Sequence, residues 1–201
     1  MRSGKVDFAT FGISRREAAR ILAASVAAPA LVGQGQQPVH EPDVPYVPTT
    51  EEAVVAMLNL AEVTKNDIVY DLGCGDGRIV IAAAKTYGAK GVGIDIDPVR
   101  IGEAKANAKK AGVEDKVRFE EKDLFKADFH EATVVTLFLL NSVNARLRPR
   151  LIEQLKPGTR IVSNTFDMGD WQPEKDITID APIEAFLSRR FFLWRVPEKK
   201  K

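Results

Sequence analysis

Cysteine occurs once and histidine twice in the 201 residues. An intramolecular disulfide is thereby excluded, and a zinc site would have to draw its remaining ligands from carboxylates, so no metal is expected. Neither sign of charge is in excess. The 29 Lys and Arg face 28 Asp and Glu, a formal net of +1, so no global field gathers a polyanion and no nucleic acid is expected as partner. Long apolar runs are also missing: Ile21 to Gly33, apolar or small throughout, has 13 residues, whereas a membrane span needs about 20. What remains, 45% hydrophobic and 28% charged residues, is the profile of one ordinary domain with short extensions.

The amino terminus differs in composition from the rest. Arg2 and Lys5 precede Ser14-Arg15-Arg16-Glu17, the short apolar run follows, and small residues stand at Ala28 and Ala30. This resembles a twin-arginine export signal over residues 1–33, which implies an exported protein, periplasmic or membrane-associated. The alternatives are an uncleaved anchor or an amphipathic helix packed on a cytoplasmic domain. Residues 34–43 open a Pro- and Gln-rich linker, with Pro38 and Pro42 followed by Pro45 and Pro48, a composition that keeps the chain extended. The folded domain is expected over 44–201. Its first helix begins after Thr49, which with Glu52 fits a capping box, and Val54, Met57, Leu58 and Ala61 fall on one face.

Asp67 to Leu72 reads as a buried strand, Gly73-Cys74-Gly75-Asp76-Gly77 as a tight turn, and Arg78 to Tyr87 as a helix. That order suits a nucleotide-like ligand, because glycines let the backbone turn sharply and approach the ligand without a Cβ between them. A second strand, Gly91 to Asp95, ends in a carboxylate placed to accept from ribose hydroxyls. The spacing then separates two cofactor classes. A dinucleotide fingerprint requires a third glycine where Arg78 stands, and the acidic turn with Asp71 and Asp76 would repel a diphosphate. Asp71-Leu72-Gly73-Cys74-Gly75-Asp76-Gly77 instead resembles the first motif of the seven-strand S-adenosylmethionine-dependent methyltransferases, whose cofactor is cationic at sulfonium and amine.

The alternation continues. A helix opens at Ile96-Asp97-Pro98 and ends at Gly112, a third strand runs over Val117 to Asp123, a fourth over Ala132 to Leu140 and a fifth over Arg160 to Phe166. Ile177 to Ile179 and Phe191 to Val196 read as a closing antiparallel pair. The fold class is therefore α/β, a Rossmann-like open sheet of about seven mostly parallel strands with helices on both faces. Ligands should lie at the carboxyl ends of the strands.

The narrower likeness rests on Val44 to Thr49, Val69 to Arg78, Ala132 to Leu140 and Leu155 to Ser163. These stretches resemble bacterial relatives of the ATP synthase c-subunit lysine N-methyltransferase family. The resemblance implies transfer of methyl from S-adenosyl-L-methionine to a lysine of a protein partner, with a small-molecule acceptor as the alternative. It assigns cofactor binding to Asp71, Gly73, Cys74, Gly75, Asp76, Asp95 and Ile96, and the adenine edge to Asp123 and Leu124. A non-catalytic nucleotide binder and a nicotinamide oxidoreductase are the readings from other classes, the latter contradicted by Arg78.

Methyl transfer needs alignment and desolvation more than acid catalysis, and an amine acceptor must first lose a proton. Segments overhanging the strand ends are the candidates for acceptor binding: Tyr46 to Thr49, Leu140 to Leu147 and Asn164 to Trp171. Asn141 can orient an amine through its carbonyl oxygen, and the Tyr46 ring can cap the sulfonium; a turn role for Asn141 and a packing role for Tyr46 stand beside these. The fourth strand leads into Phe138-Leu139-Leu140-Asn141 rather than the Asp/Asn-Pro-Pro-aromatic signature of enzymes that methylate adenine, cytosine or glutamine amines. Arg146, Arg148 and Arg150 form a local basic cluster that reads first as a solvated helix start. His40 and His130 read as surface residues.

Overall fold

The computed structural model describes residues 47–180 and 189–199. Its elements, in chain order, are α1 (Glu51–Leu60), β1 (Ile68–Leu72), α2 (Arg78–Ala82), β2 (Lys90–Asp95), α3 (Pro98–Ala111), β3 (Val117–Glu121), β4 (Val134–Leu137), α4 (Asn141–Gln154), β5 (Arg160–Asn164), β6 (Lys175–Thr178) and β7 (Arg190–Arg195), with α2 running on into one π turn, Ala83–Tyr87. They form a seven-stranded sheet in the order β3-β2-β1-β4-β5-β7-β6. β1 to β5 pair in parallel, and β7 runs antiparallel to both β5 and β6. This is the α/β sheet read from the alternation, with the antiparallel pair at its carboxyl-terminal edge.

Helices cover both faces because successive strand residues point to opposite sides. Val69, Val134, Val162 and Leu193 pack with Met57 and Leu58 of α1, Ile79 and Val80 of α2 and Ala108 of α3. Their immediate neighbours Tyr70, Val135, Ile161 and Trp194 pack on the other face with Val143, Leu147 and Leu151 of α4. The apolar run of β4 follows from this two-sided burial. At the amino ends of the strands, buried Asp67 accepts from Thr133 Oγ1 (2.7 Å) and the Thr64 amide (2.7 Å) and pairs with Arg160, tying β1 to β4 and β5. Burial pushes the Asp67 carboxyl up, but those hydrogen bonds and the Arg160 charge together hold it below the usual range. Among the described residues no helix is long and apolar enough to cross a membrane.

The structure moves several boundaries. The cap of α1 is Thr50, whose side chain accepts from the Ala53 amide (3.2 Å), not Thr49. β4 ends at Leu137 rather than Leu140, because Phe138 to Leu140 leave the sheet at its carboxyl edge and α4 starts at Asn141. β3 stops at Glu121 and β5 at Asn164, the latter because Thr165 turns to φ 66°. Gly112 ends α3 at φ 69°, as its position implies.

Candidate active site

The turn after β1 is folded back onto the end of β2: the Gly73 and Cys74 amides both donate to the Ile94 carbonyl, at 2.8 and 3.0 Å. The Gly77 backbone sits at φ 80°, and a Cβ there would lie 2.6 Å from the Phe119 ring and 2.9 Å from the Ala104 methyl. Glycine is required at that position by both conformation and space. The turn and the strand tip are joined through Asp95. Its Oδ2 accepts from the Gly75 amide (2.8 Å) and its Oδ1 from the Asp97 amide (3.0 Å), so the carboxylate is fixed in orientation by main-chain donors. Asp97 in turn caps α3 by accepting from the Val99 amide (2.8 Å).

These residues line one open cleft at the carboxyl edge of the sheet. Asp71, Gly73, Cys74, Gly75, Asp76 and Asp95 all line it, together with Val47 to Thr49, Phe138, Leu139, Arg78 and Arg100. Asp71 is 3% exposed and accepts from Thr136 Oγ1 (2.8 Å). Burial raises its pKa to about 7 against the opposing Thr136 bond, and the charges of Asp95 and Asp76 push the same way as burial. No cation pairs with Asp71 among the described residues. Asp76 is paired with Arg78, so the uncompensated carboxylate of the cleft is buried Asp71, which suits a cationic ligand. Cys74 is buried, and desolvation with the neighbouring carboxylates pushes its thiol well above the usual range, which keeps it protonated.

Arg78, read in the sequence merely as the residue that spoils a dinucleotide fingerprint, has a structural task at this cleft. Its guanidinium forks onto Asp76 (2.9 and 2.6 Å) and donates to the Thr49 carbonyl (2.6 Å), joining the glycine turn to the segment before α1. Nothing short of the tertiary structure pairs positions 29 residues apart, as Arg78 and Thr49 are.

The remaining sequence candidates divide. Asn141 is exposed at the first turn of α4, and its Nδ2 donates to Asp167 Oδ1 (2.7 Å). Ile96, Asp123 and Leu124 do not line the cleft. The Asp123 carboxylate accepts from the Phe125 amide (2.9 Å) just beyond β3, beside the end of β2. Tyr46 and His40 lie outside the described residues, as does the whole of the leader. His130 is exposed and bonded to Asp128 (2.8 Å). The arginine cluster is dispersed: Arg146 lies over the Phe125 ring, Arg148 pairs with Asp170, and Arg150 donates to the Ala127 carbonyl. Sequence reasoning missed the roles of Arg78 and Thr136; Asp167 and Phe166 lie within the Asn164 to Trp171 segment it offered for the acceptor, without being singled out. The Phe166 ring stacks on Phe138, with centroids 6.0 Å apart. Among the described residues no cluster of His, Cys, Asp or Glu is arranged to hold a metal ion.

Comparison with known proteins gives this cleft a family. A protein-lysine N-methyltransferase of Saccharolobus islandicus is 46% identical over 160 residues, which is 79% of this chain and 98% of that protein. The mouse adenine nucleotide translocase lysine N-methyltransferase is 36% identical over 130 residues, covering 65% of this chain and 56% of its own length. Among solved structures, an RNA methyltransferase from Salinibacter ruber in complex with S-adenosyl-L-homocysteine is 53% identical, with a TM-score of 0.71, covering 77% of this chain and 97% of that one. The family model described as the ANTKMT methyltransferase domain matches residues 71–175, from the buried aspartate at the end of β1 to the first residue of β6. This chain therefore belongs to the ANTKMT methyltransferase family.

Proposed function

We propose that the protein is an S-adenosylmethionine-dependent protein-lysine N-methyltransferase. The observation that carries the cofactor half of this reading is Asp71, a buried carboxylate in the cleft with no cationic partner among the described residues. Gly73 and Gly75 bring bare backbone to the cleft, and Asp95 presents a carboxylate at the tip of β2. These residues fit a ligand with a cationic amino acid end and a ribose: Asp71 faces the positive charge, Asp76 lies beside it with Arg78 on its carboxylate, Asp95 takes the ribose hydroxyls, and Cys74 flanks them. The family resemblance supports Asp123 and Leu124 as the adenine-end residues; they follow β3, the strand next to β2, and stand outside the cleft lining. When bound, S-adenosylmethionine supplies a methyl on a sulfonium whose sulfur departs as a neutral thioether. The chain's own part is to align the acceptor and exclude water, which Phe138, Leu139 and the Val47 to Thr49 segment do by walling the cleft. Tyr46, the residue before that segment in the sequence, is the candidate whose ring would cap the sulfonium.

The lysine half rests on the Saccharolobus relative, matched along 98% of its length. The Salinibacter chain favours a second reading, methylation of RNA. Acceptor-side chemistry supports the first: Asn141 stands with the carboxylate of Asp167, a pair that attracts an ammonium and repels phosphate. Labelled-methyl transfer into cell extract, followed by digestion and mass spectrometry, tests the two. Label in methyl-lysine, insensitive to ribonuclease, is the expected result; label lost on ribonuclease treatment overturns it. Export through the twin-arginine segment is a separate proposal, supported by Ser14-Arg15-Arg16 and the short apolar run. Fractionation with amino-terminal sequencing checks it, and a full-length chain in the cytoplasm rejects it.

A further inference from the structure

From the arrangement beside the cofactor cleft we infer that Asp167, on the loop after β5, is the residue that receives the acceptor's ammonium, with Asn141 as its partner and the Phe138 and Phe166 rings as the wall along which the alkyl stem lies. The inference rests on the lysine reading above. Phe138 lines the cofactor cleft and stacks on Phe166, and the next residue is Asp167, bonded to Asn141, which stands three positions after Phe138. An apolar surface ending in a carboxylate is the form a lysine side chain requires, four methylenes and then a charge.

The carboxylate is held for this task. Its Oδ1 accepts from Asn141 Nδ2 (2.7 Å) and from the Gly169 amide (2.9 Å), both neutral donors that orient it without neutralising it. No arginine or lysine lies within ion-pair distance of Asp167 among the described residues, whereas nearby Asp170 and Asp176 are each paired, with Arg148 and Arg190. The Arg190 charge is felt at Asp167, but its guanidinium is forked on Asp176 (2.9 and 2.6 Å). Because the Asn141 amide turns its NH2 toward the carboxylate, its carbonyl oxygen is the acceptor left for a second ammonium hydrogen. Docked there, the ammonium is oriented by Asp167 and Asn141 toward the cleft, and the N–H proton it must lose to free the nitrogen lone pair passes to solvent water.

The loop that carries Asp167 is built for rigidity. Asn144, fully buried in α4, donates through Nδ2 to Ser163 Oγ (3.3 Å) and to the carbonyls of Phe166 and Asp167 (both 3.2 Å). Asn144 is thus a positioning residue, acting through the backbone of the residues beside it.

The test compares the full chain with Asp167→Asn and Asp167→Glu, each saturated with S-adenosylhomocysteine. Asparagine retains an oxygen for the Asn141 and Gly169 donors and removes only the charge. The probes are Nα-acetyl-L-lysine amide and its neutral Nε-acetylated form, followed by ligand-observed NMR titration. The expected result is about tenfold or greater loss of affinity for the amine in Asp167→Asn, partial recovery in Asp167→Glu, and unchanged affinity for S-adenosylhomocysteine. Equal amine affinity in wild type and Asp167→Asn overturns the inference, as does wild type binding amine and neutral probe alike. The extract assay keeps the two levels apart. Methyl-lysine formed equally fast by wild type and Asp167→Asn sinks the role of Asp167 and leaves the lysine reading standing, whereas label confined to RNA sinks both.

Discussion

The two sides of the cleft are held in different ways. On the cofactor side the glycine turn and Asp95 are oriented by main-chain amides, Gly75 and Asp97 on Asp95 and the Ile94 carbonyl taking both Gly73 and Cys74, while Asp71 and Asp76 take side-chain donors, Thr136 and Arg78. On the acceptor side side-chain amides carry more of the fixing, Asn141 on the Asp167 carboxylate and Asn144 on the Phe166 and Asp167 carbonyls, with one main-chain donor, Gly169, on Asp167. Main-chain donors persist whatever the side chains become, so the glycine turn and the Asp95 orientation can stay constant while the rest of the sequence drifts. Side-chain donors vanish with one substitution, which makes the acceptor side the place where specificity changes most easily.

The sharpest way to break this contrast is at its cofactor end. Asp95→Ala leaves the Gly75 and Asp97 amides without their acceptor and removes the carboxylate proposed for the ribose. Cofactor affinity is expected to fall about 100-fold, the scale of losing charged hydrogen bonds, with a smaller fall in melting temperature. Isothermal titration with S-adenosylhomocysteine measures it; an unchanged Kd places the ribose elsewhere. On the acceptor side, Asn144→Ala leaves the buried carbonyls of Phe166 and Asp167 without a donor and frees Thr165, a β-branched residue at φ 66°, from the contacts that hold its loop. A loss of about 1–3 kcal/mol is expected in denaturant titration. The discriminating readout is a raised KM for the acceptor at unchanged cofactor affinity. Loss of cofactor affinity as well would mean that the two sides are not separately built.

How much of this was legible in the sequence follows the same division. The glycine turn, Asp71 and Asp95 are visible because each belongs to a short local pattern of strand, turn and helix, and the sheet follows from the alternation. Arg78 was visible only as a mismatch, since its partners include a carbonyl 29 residues away. Asp167 could not be paired with Asn141 by any spacing rule: they are 26 residues apart and meet because β4 and β5 are neighbours in the sheet. The apolar run past Leu137 reads as more strand, yet Phe138 and Leu139 serve the cleft instead, where a Cβ on Gly73 would come within 2.9 Å of Leu139. Apolar composition marks burial and does not say what is buried against what. α4 was seen only as a helix start, because Pro149 lies within it and argues locally against a helix of that length.

Asp71 offers the subtlest separation of the two sides, because it responds to protons rather than to substitution alone. With its folded pKa near 7 against an unfolded value near 3.8, the cofactor-free protein keeps a proton that the unfolded chain releases between those values. That contribution to stability is complete below about pH 4 and is lost as the pH rises toward 7; Asp71→Asn flattens this slope in thermal melts taken without cofactor. Cofactor binding runs in the opposite sense. A cationic ligand selects the ionised carboxylate, so below pH 7 binding must expel the proton, and affinity falls up to about tenfold per pH unit. Titrations of wild type at pH 6 and 8, in buffers of different ionisation enthalpy, should show proton release at the lower pH that Asp71→Asn abolishes. Release that persists in Asp71→Asn would move the titrating group elsewhere in the cleft. If amine binding at Asp167 is meanwhile unaltered by Asp71→Asn, the two carboxylates act on different cations, one on each side of the transferred methyl.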